Sequence, residues 1–94
     1  MQKKIVLLFG GNSEERLVSV ASAQNLASQY NFSDFIFQDK AENLYLISKD
    51  ELFAHKNVFV TEFKPTVKAF AQNLQSAVSF LKDKIVFMGF HGSQ

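Results

Sequence analysis

The chain has 94 residues, of which 47% are hydrophobic, including eleven phenylalanines, and this content suffices for one hydrophobic core. Its net charge of +1 comes from acidic and basic residues dispersed along the chain, which excludes the basic stripe typical of proteins that bind nucleic acid or an anionic membrane. The absence of cysteine excludes disulfides, thiol catalysis and cysteine-ligated metals. The N-terminal apolar run is too short for a signal peptide or a membrane span. We therefore expect a single cytoplasmic domain over residues 1–94, with no metal site.

Two apolar runs, Ile5–Phe9 and Ile85–Phe90, each end at a polar turn that contains glycine. Runs that are apolar on both faces are typical of buried parallel strands. Ligands of open parallel sheets bind beyond the carboxyl ends of the strands. The turns that begin at Gly10 and at His91 are therefore predicted to share one site.

Helices and strands are predicted to alternate between these two runs. A helix is predicted from Ser13 to Gln29, with one apolar stripe formed by Val20, Ala23, Ala27 and Tyr30. The next predicted elements are a strand at 35–37, a turn at 39–43, a returning strand at 44–47, a short helix from 48, and an edge strand or extended segment at 58–63.

The most regular pattern predicts a second long helix from Thr66 to Asp83. Its apolar positions follow helical spacing at Val67, Phe70, Ala71, Leu74, Val78 and Leu81. This order of elements predicts an α/β fold, a Rossmann-like three-layer domain with a mainly parallel sheet and right-handed crossovers.

The pair Gly10 and Gly11 permits a tight turn, and the free amides of the following helix start favour a negative group. The chain has neither a Gly-x-Gly-x-x-Gly fingerprint nor a Gly-Lys-Ser/Thr loop, which excludes the two common phosphate-binding motifs. A plain turn is therefore the commoner explanation of these glycines. The spacing of Asn12 and Glu15 is that of a capping box, so Glu15 either caps the helix or pairs with a substrate ammonium.

Of the two histidines, His91 ends a predicted strand beside Gly92, whereas His55 lies among polar residues and is assigned to the surface. An imidazole at a strand end can donate to a carboxylate or phosphate, or its nitrogens can be satisfied by backbone groups. The pattern leaves both roles of His91 open.

The segment LLFGGNSEERLVSVASA, residues 7–23, resembles the N-terminal signature of D-alanine:D-alanine ligases, a hydrophobic strand followed by Gly-Gly-x-Ser-x-Glu and x-x-Val-Ser. The matching positions are Gly10, Gly11, Ser13, Glu15, Val18, Ser19 and Ser22. The later FMGFHG resembles the family's second motif, and FIFQDKAENLYLIS resembles the hairpin of its longer-armed members. The departures are Leu17 where glutamate is common, Asn12 for threonine and Phe90 for leucine.

This resemblance implies the first of three domains of an ATP-grasp enzyme that phosphorylates one D-alanine and joins it to a second for peptidoglycan. It implies that Glu15 anchors the amine of the first D-alanine, that His91 lies by its carboxylate, and that Val18 lines the pocket. Gly10, Gly11, Ser13 and Gly92 would form the supporting turns. ATP and magnesium would bind to the other two domains, so no cofactor is expected on this chain, and the chain alone is expected to be inactive. The full-length enzyme would be a homodimer.

Two other classes of protein fit the same pattern of elements. One is a small doubly wound module, flavodoxin-like or receiver-like, that binds an anion at the turn of Gly10 and Gly11. A receiver needs an acidic cluster at the strand ends, where this chain has glycine and histidine. The other is the equivalent domain of a different ATP-grasp ligase, which the residues Ser13 and Glu15 disfavour.

Overall fold

The computed structural model of the chain describes residues 4–11, 16–56 and 62–89. Within these residues the strands are β1 (Ile5–Gly10), β2 (Asp34–Gln38), β3 (Leu44–Ile47) and β4 (Ile85–Met88). The α-helices are α1 (Arg16–Gln29), α2 (Lys49–Ala54) and α3 (Val78–Leu81), and a 3₁₀ turn at Gln75–Ala77 leads into α3.

The described strands form one mixed sheet in the order β3-β2-β1-β4. Strand β1 is parallel to both β2 and β4, and only the hairpin strand β3 runs antiparallel, against β2. The chain thus places β2 on one side of β1 and later returns to place β4 on the other side. A strand β1 that lies between two parallel neighbours is the arrangement at the switch point of a Rossmann-like sheet, and the expected α/β fold with a mainly parallel sheet is confirmed.

Both faces of the sheet are covered by apolar side chains. The face covered by α1 and α2 buries one cluster: Leu7, Phe9, Val20, Ala23, Ala27, Phe35, Phe37, Ile47, Leu52 and Phe63. The opposite face buries Val6, Leu8, Ile36, Leu44, Ala71 and Ala77, with Phe80 and Leu81 packed against them. Alternate residues of β1 enter different clusters because successive side chains of a strand point to opposite faces. This two-sided burial explains why β1 is continuously apolar.

The prediction of a long helix from Thr66 to Asp83 is wrong. Helical structure in this region is limited to the 3₁₀ turn and α3. The amide of Phe70 donates to the carbonyl of Leu44 at 2.9 Å, and the amide of Leu44 donates to the carbonyl of Ala71 at 2.8 Å. Because these backbone groups pair with the start of β3, they are unavailable for a helix, and a distant partner overrides the local periodicity.

Three smaller predictions also need correction. Strand β4 is not buried on both faces, since Ile85, Phe87 and Met88 are exposed and the strand forms an edge of the described sheet. Tyr30 is 58% exposed because it follows the end of α1 and so leaves the helix stripe. His55 is half-buried and not a surface residue, because its ring lies edge-on to that of Phe63 with centroids 5.3 Å apart. The predicted segment 58–63 lies mostly outside the described residues.

The β2–β3 hairpin closes around the carboxylate of Asp39. This carboxylate accepts hydrogen bonds from the amides of Ala41 and Asn43, both at 2.9 Å, from the Asn43 side chain at 3.3 Å, and from the Tyr45 hydroxyl at 2.8 Å. Partial burial acts to raise the pKa of Asp39, but these hydrogen bonds together hold it below its usual value. The bond to Asp39 raises the pKa of Tyr45. The predicted turn at 39–43 is thus confirmed, with an aspartate as its centre.

Replacing this carboxylate should weaken the hairpin. We expect Asp39→Ala to lower the free energy of unfolding by roughly 1 to 2 kcal/mol, since several hydrogen bonds are lost at a partly exposed site. The exposed Asp83→Ala is the control and should change it by less than about 0.5 kcal/mol. Urea unfolding of the wild type and the two variants measures these free energies. An equal loss of stability in both variants would refute the role of Asp39.

The hydrogen-bonded pair of Asp39 and Tyr45 also makes the free energy of unfolding depend on pH. Because the folded pKa of Asp39 is lowered, its contribution is present above the unfolded pKa of about 4 and is lost as the pH falls through the folded value. Because the folded pKa of Tyr45 is raised, its contribution is present below about pH 10 and is lost at higher pH. The stability difference between the wild type and Asp39→Ala should therefore shrink below about pH 4.

Candidate functional site

The candidate site lies at the carboxyl ends of β1 and β4, which are neighbours in the sheet. Their pairing runs from Ile5 opposite Ile85 to Leu8 opposite Met88, in parallel. The order in which strands are added to the sheet reverses at β1. The chain first places β2 and β3 on one side of β1 and later places β4 on the other side. In open α/β sheets, such a switch point opens a crevice beyond the strand ends, and ligands bind there.

The glycine turn after β1 requires glycine for two separate physical reasons. Gly10 and Gly11 have φ angles of 98° and 116°, in the region that side chains disfavour. A Cβ atom on Gly10 would also lie 2.3 Å from the carbonyl oxygen of Gln38. The amide of Gly11 donates to that same carbonyl at 2.8 Å, which holds the turn against the end of β2.

Ser19 of α1 joins the ends of β1 and β4. Its hydroxyl accepts a hydrogen bond from the amide of Gly10 at 2.8 Å and donates one to the carbonyl of Gly89 at 2.9 Å. The side chain is 1% exposed, so these bonds are shielded from solvent. One buried hydroxyl therefore connects the helix with both strands that border the crevice.

The structure describes three residues of the predicted site. Gly10 and Gly11 lie at the carboxyl edge, and Val18 lies half-buried on α1, one residue before Ser19. Ser13, Glu15, His91 and Gly92 lie outside the described residues. Because β1 and β4 are parallel neighbours, the segments that carry these residues leave the sheet from adjacent strand ends. The interactions of their side chains remain predictions.

Ser19 is the residue whose role the sequence did not reveal. It appears in the sequence as one serine of a motif, on a helix that has several serines. Only its position could have indicated this role. Ser19 lies nine residues after Gly10, in the first part of the helix that follows the glycine turn. Its second partner, Gly89, lies 70 residues further along the chain, and only the fold brings the two together.

The described residues line two clefts near this edge of the sheet. A cleft of about 280 Å³ lies between α1 and the end of β4, and its lining includes Ser22, Asn25, Leu26 and Gly89. A larger cleft of about 410 Å³ lies beside the hairpin. Its lining residues are Phe37, Asp39, Lys40, Ala41, Tyr45, Glu62, Phe63, Lys64 and Pro65. The first cleft adjoins the strand end that Ser19 holds.

The part of the chain that the structure describes contains no group of three or more histidine or acidic side chains arranged to hold a metal ion. None of its helices has the length and apolar character needed to cross a membrane. Every buried side-chain nitrogen and oxygen among these residues has a hydrogen-bond partner.

The fold defines an open α/β domain with a mainly parallel sheet. No family model matches the chain. It is 31% identical over 98 residues to the D-alanine--D-alanine ligase of Lactococcus lactis subsp. cremoris strain MG1363, and equally so to that of strain SK11. These matches cover 97% of this chain and 27% of each relative. The chain therefore spans about a quarter of the length of these relatives.

A solved structure gives the same result. The crystal structure of D-alanine-D-alanine ligase from Helicobacter pylori matches 62% of this chain and 18% of its own, with 32% identity and a TM-score of 0.52. The resemblance to D-alanine:D-alanine ligases that the sequence predicts is therefore confirmed by both sequence and structure.

Proposed function

We propose that this chain is the N-terminal domain of a longer ATP-dependent D-alanine:D-alanine ligase and that it forms part of the site for the first D-alanine. The observation that supports this most is the parallel pairing of β1 with β4, because it puts the two strands that belong to the ligase-like motifs side by side. The ligase of Lactococcus lactis matches 97% of this chain, so the similarity extends well beyond the two motifs.

In this proposal Glu15 pairs its carboxylate with the ammonium group of the first D-alanine, and His91 lies by the carboxylate of that substrate. Val18 contributes an apolar contact, and the turns at Gly10, Gly11, Ser13 and Gly92 support the two charged side chains. A charge-assisted hydrogen bond between carboxylate and ammonium is stronger than a neutral one, so Glu15 carries most of the affinity for the amine.

ATP and magnesium belong to the domains that this chain does not contain. ATP supplies the phosphoryl group that activates the first D-alanine, and the residues of this chain bind and orient that amino acid. The full-length enzyme would act in the cytoplasm, as a homodimer, in peptidoglycan synthesis.

The activity is tested with the full-length protein that contains this chain. We expect it to form D-alanyl-D-alanine from D-alanine, with one ADP released per dipeptide, when ATP and magnesium are present. L-alanine in place of D-alanine is the control and should give no dipeptide. A full-length protein that is folded and binds ATP but makes no dipeptide would refute the proposed activity.

The role of Glu15 is tested by Glu15→Gln in the same protein. Loss of the charge should raise the Michaelis constant for the first D-alanine by about 10- to 150-fold, since a hydrogen bond to a charged group contributes about 1.5 to 3 kcal/mol. Glu14→Gln is the matched control, because it removes the charge of the adjacent glutamate, which we expect to be a solvated charge of the helix surface. An unchanged Michaelis constant with a lowered melting temperature would mean that Glu15 only caps the helix.

A further inference from the structure

The hydroxyl of Ser19 takes the place of one backbone hydrogen bond between β1 and β4. The last direct bond of this ladder runs from the amide of Gly89 to the carbonyl of Leu8 at 2.7 Å, next to the pair of Leu8 and Met88. In a parallel ladder of this register, the next bond would join the amide of Gly10 to the carbonyl of Gly89. Here the hydroxyl lies between these two groups, at 2.8 Å from the first and 2.9 Å from the second.

This arrangement is confined to one side of β1. On the other side, the amide of Gly11 donates directly to the carbonyl of Gln38 at 2.8 Å, so β1 and β2 stay paired through the turn. Two hydrogen bonds in series span a longer distance than one. Strands β1 and β4 are therefore held apart at their carboxyl ends, at the switch point where a crevice for ligands is expected.

The spacing is well defined because the hydroxyl has little freedom. Ser19 is 1% exposed, and its oxygen accepts from one strand while its hydrogen is donated to the other. Removing the hydroxyl leaves an amide and a carbonyl that are both buried and unpaired, which is costly unless they move together and bond directly. A serine at this position thus sets the strand separation, and alanine would favour a narrower one.

We propose that Ser19 is a positioning residue that holds the ends of β1 and β4 apart at the width that the first D-alanine requires. The segment after Gly11 carries Glu15, and the segment after Gly89 carries His91. The hydroxyl therefore sets the distance between Gly10 and Gly89, the strand ends that precede these two segments. This inference rests on the proposed function for the identity of the ligand, whereas the strand spacing follows from the hydrogen bonds alone.

The test is Ser19→Ala in the full-length protein, with a crystal structure and steady-state kinetics. In the structure we expect the amide of Gly10 to bond directly to the carbonyl of Gly89 at about 2.9 Å. In the kinetics we expect the Michaelis constant for the first D-alanine to rise by about five- to tenfold, while the constant for ATP and kcat change by less than about twofold. Loss of stability alone would not separate the two Michaelis constants in this way.

Ser28→Ala is the matched control, because Ser28 is an exposed serine of the same helix whose hydroxyl bonds only locally, to the carbonyl of Asn25 at 2.7 Å. It should leave both Michaelis constants unchanged. An Ser19→Ala protein with the wild-type strand separation, or with the wild-type constant for D-alanine and only a lower melting temperature, would overturn the proposal.

Ser19→Cys is a second variant that tests the spacing by size. The larger sulfur keeps weak donor and acceptor capacity but lengthens both contacts, so the distance from the Gly10 amide to the Gly89 carbonyl should increase. A folded cysteine variant with the wild-type distance would overturn the proposal even if Ser19→Ala did not fold. If the wild-type protein makes no dipeptide, the proposed function fails, and the measured strand distances alone then decide whether Ser19 acts as a spacer.

Discussion

We expect Gly10→Ala to lower the free energy of unfolding of the chain by roughly 2 to 5 kcal/mol. An alanine at φ 98° is strained, which costs about 1 to 3 kcal/mol. Its Cβ would also lie 2.3 Å from the carbonyl oxygen of Gln38, so the end of β1 must move away from β2. Because small domains have only about 5 to 15 kcal/mol of stability, this one methyl group should remove a large share of it.

Gly89→Ala is the matched control at the end of the neighbouring strand. Gly89 does not have a positive φ, and the nearest atom to an added Cβ is the Cδ1 of Leu7 at 3.2 Å, which belongs to a side chain that can shift. We expect a loss of about 1 kcal/mol. Urea unfolding compares the variants, and equal losses at the two positions would show that the conformation of Gly10 is not what requires glycine.

The second large effect is expected from Phe37→Ala. Phe37 is 2% exposed, and its ring centroid lies 4.9 Å from that of Phe63, 5.5 Å from that of Phe9 and 6.2 Å from that of Tyr45. Removal of a buried phenylalanine ring leaves a cavity and typically costs about 3 to 5 kcal/mol. Because this aromatic cluster joins β1, β2 and the segment at Phe63, its loss should weaken the covered face of the sheet as a whole.

Phe87→Ala is the control, because it removes a phenylalanine ring from β4 instead of β2. Phe87 is 45% exposed, and its ring centroid lies 6.0 Å from that of Phe32. We expect a loss of about 1 kcal/mol or less, since much of this ring already contacts solvent. A thermal or urea unfolding series in which the Phe87 variant is as unstable as the Phe37 variant would contradict the assignment of the core.

The elements that depend on local sequence were predictable. The continuous apolar run at Ile5–Phe9 indicates a strand that is covered on both faces, and the stripe of Val20, Ala23 and Ala27 indicates the buried side of α1. The turn at Asp39 was also predictable, because an aspartate in that position bonds to the backbone that follows it. In each case the residues that determine the structure are close together in the chain.

The features that depend on distant partners were not predictable. The apolar spacing around Phe70 and Ala71 favours a helix, but the backbone of Leu44 engages both residues and prevents it. The role of Ser19 follows from the register of β1 with β4, which no local pattern contains. For the same reason, the sequence could predict that the strands of the two ligase-like motifs are parallel neighbours but not which hydroxyl lies between their ends.

The most direct test of the proposed D-alanine site is a crystal structure of the full-length protein with D-alanine, magnesium and a non-hydrolysable ATP analogue. The proposal predicts that the first D-alanine lies beyond the carboxyl ends of β1 and β4, with its ammonium nitrogen about 3 Å from a carboxylate oxygen of Glu15. D-alanine bound away from this edge of the sheet, or at this edge with its ammonium group paired to another residue, would contradict it.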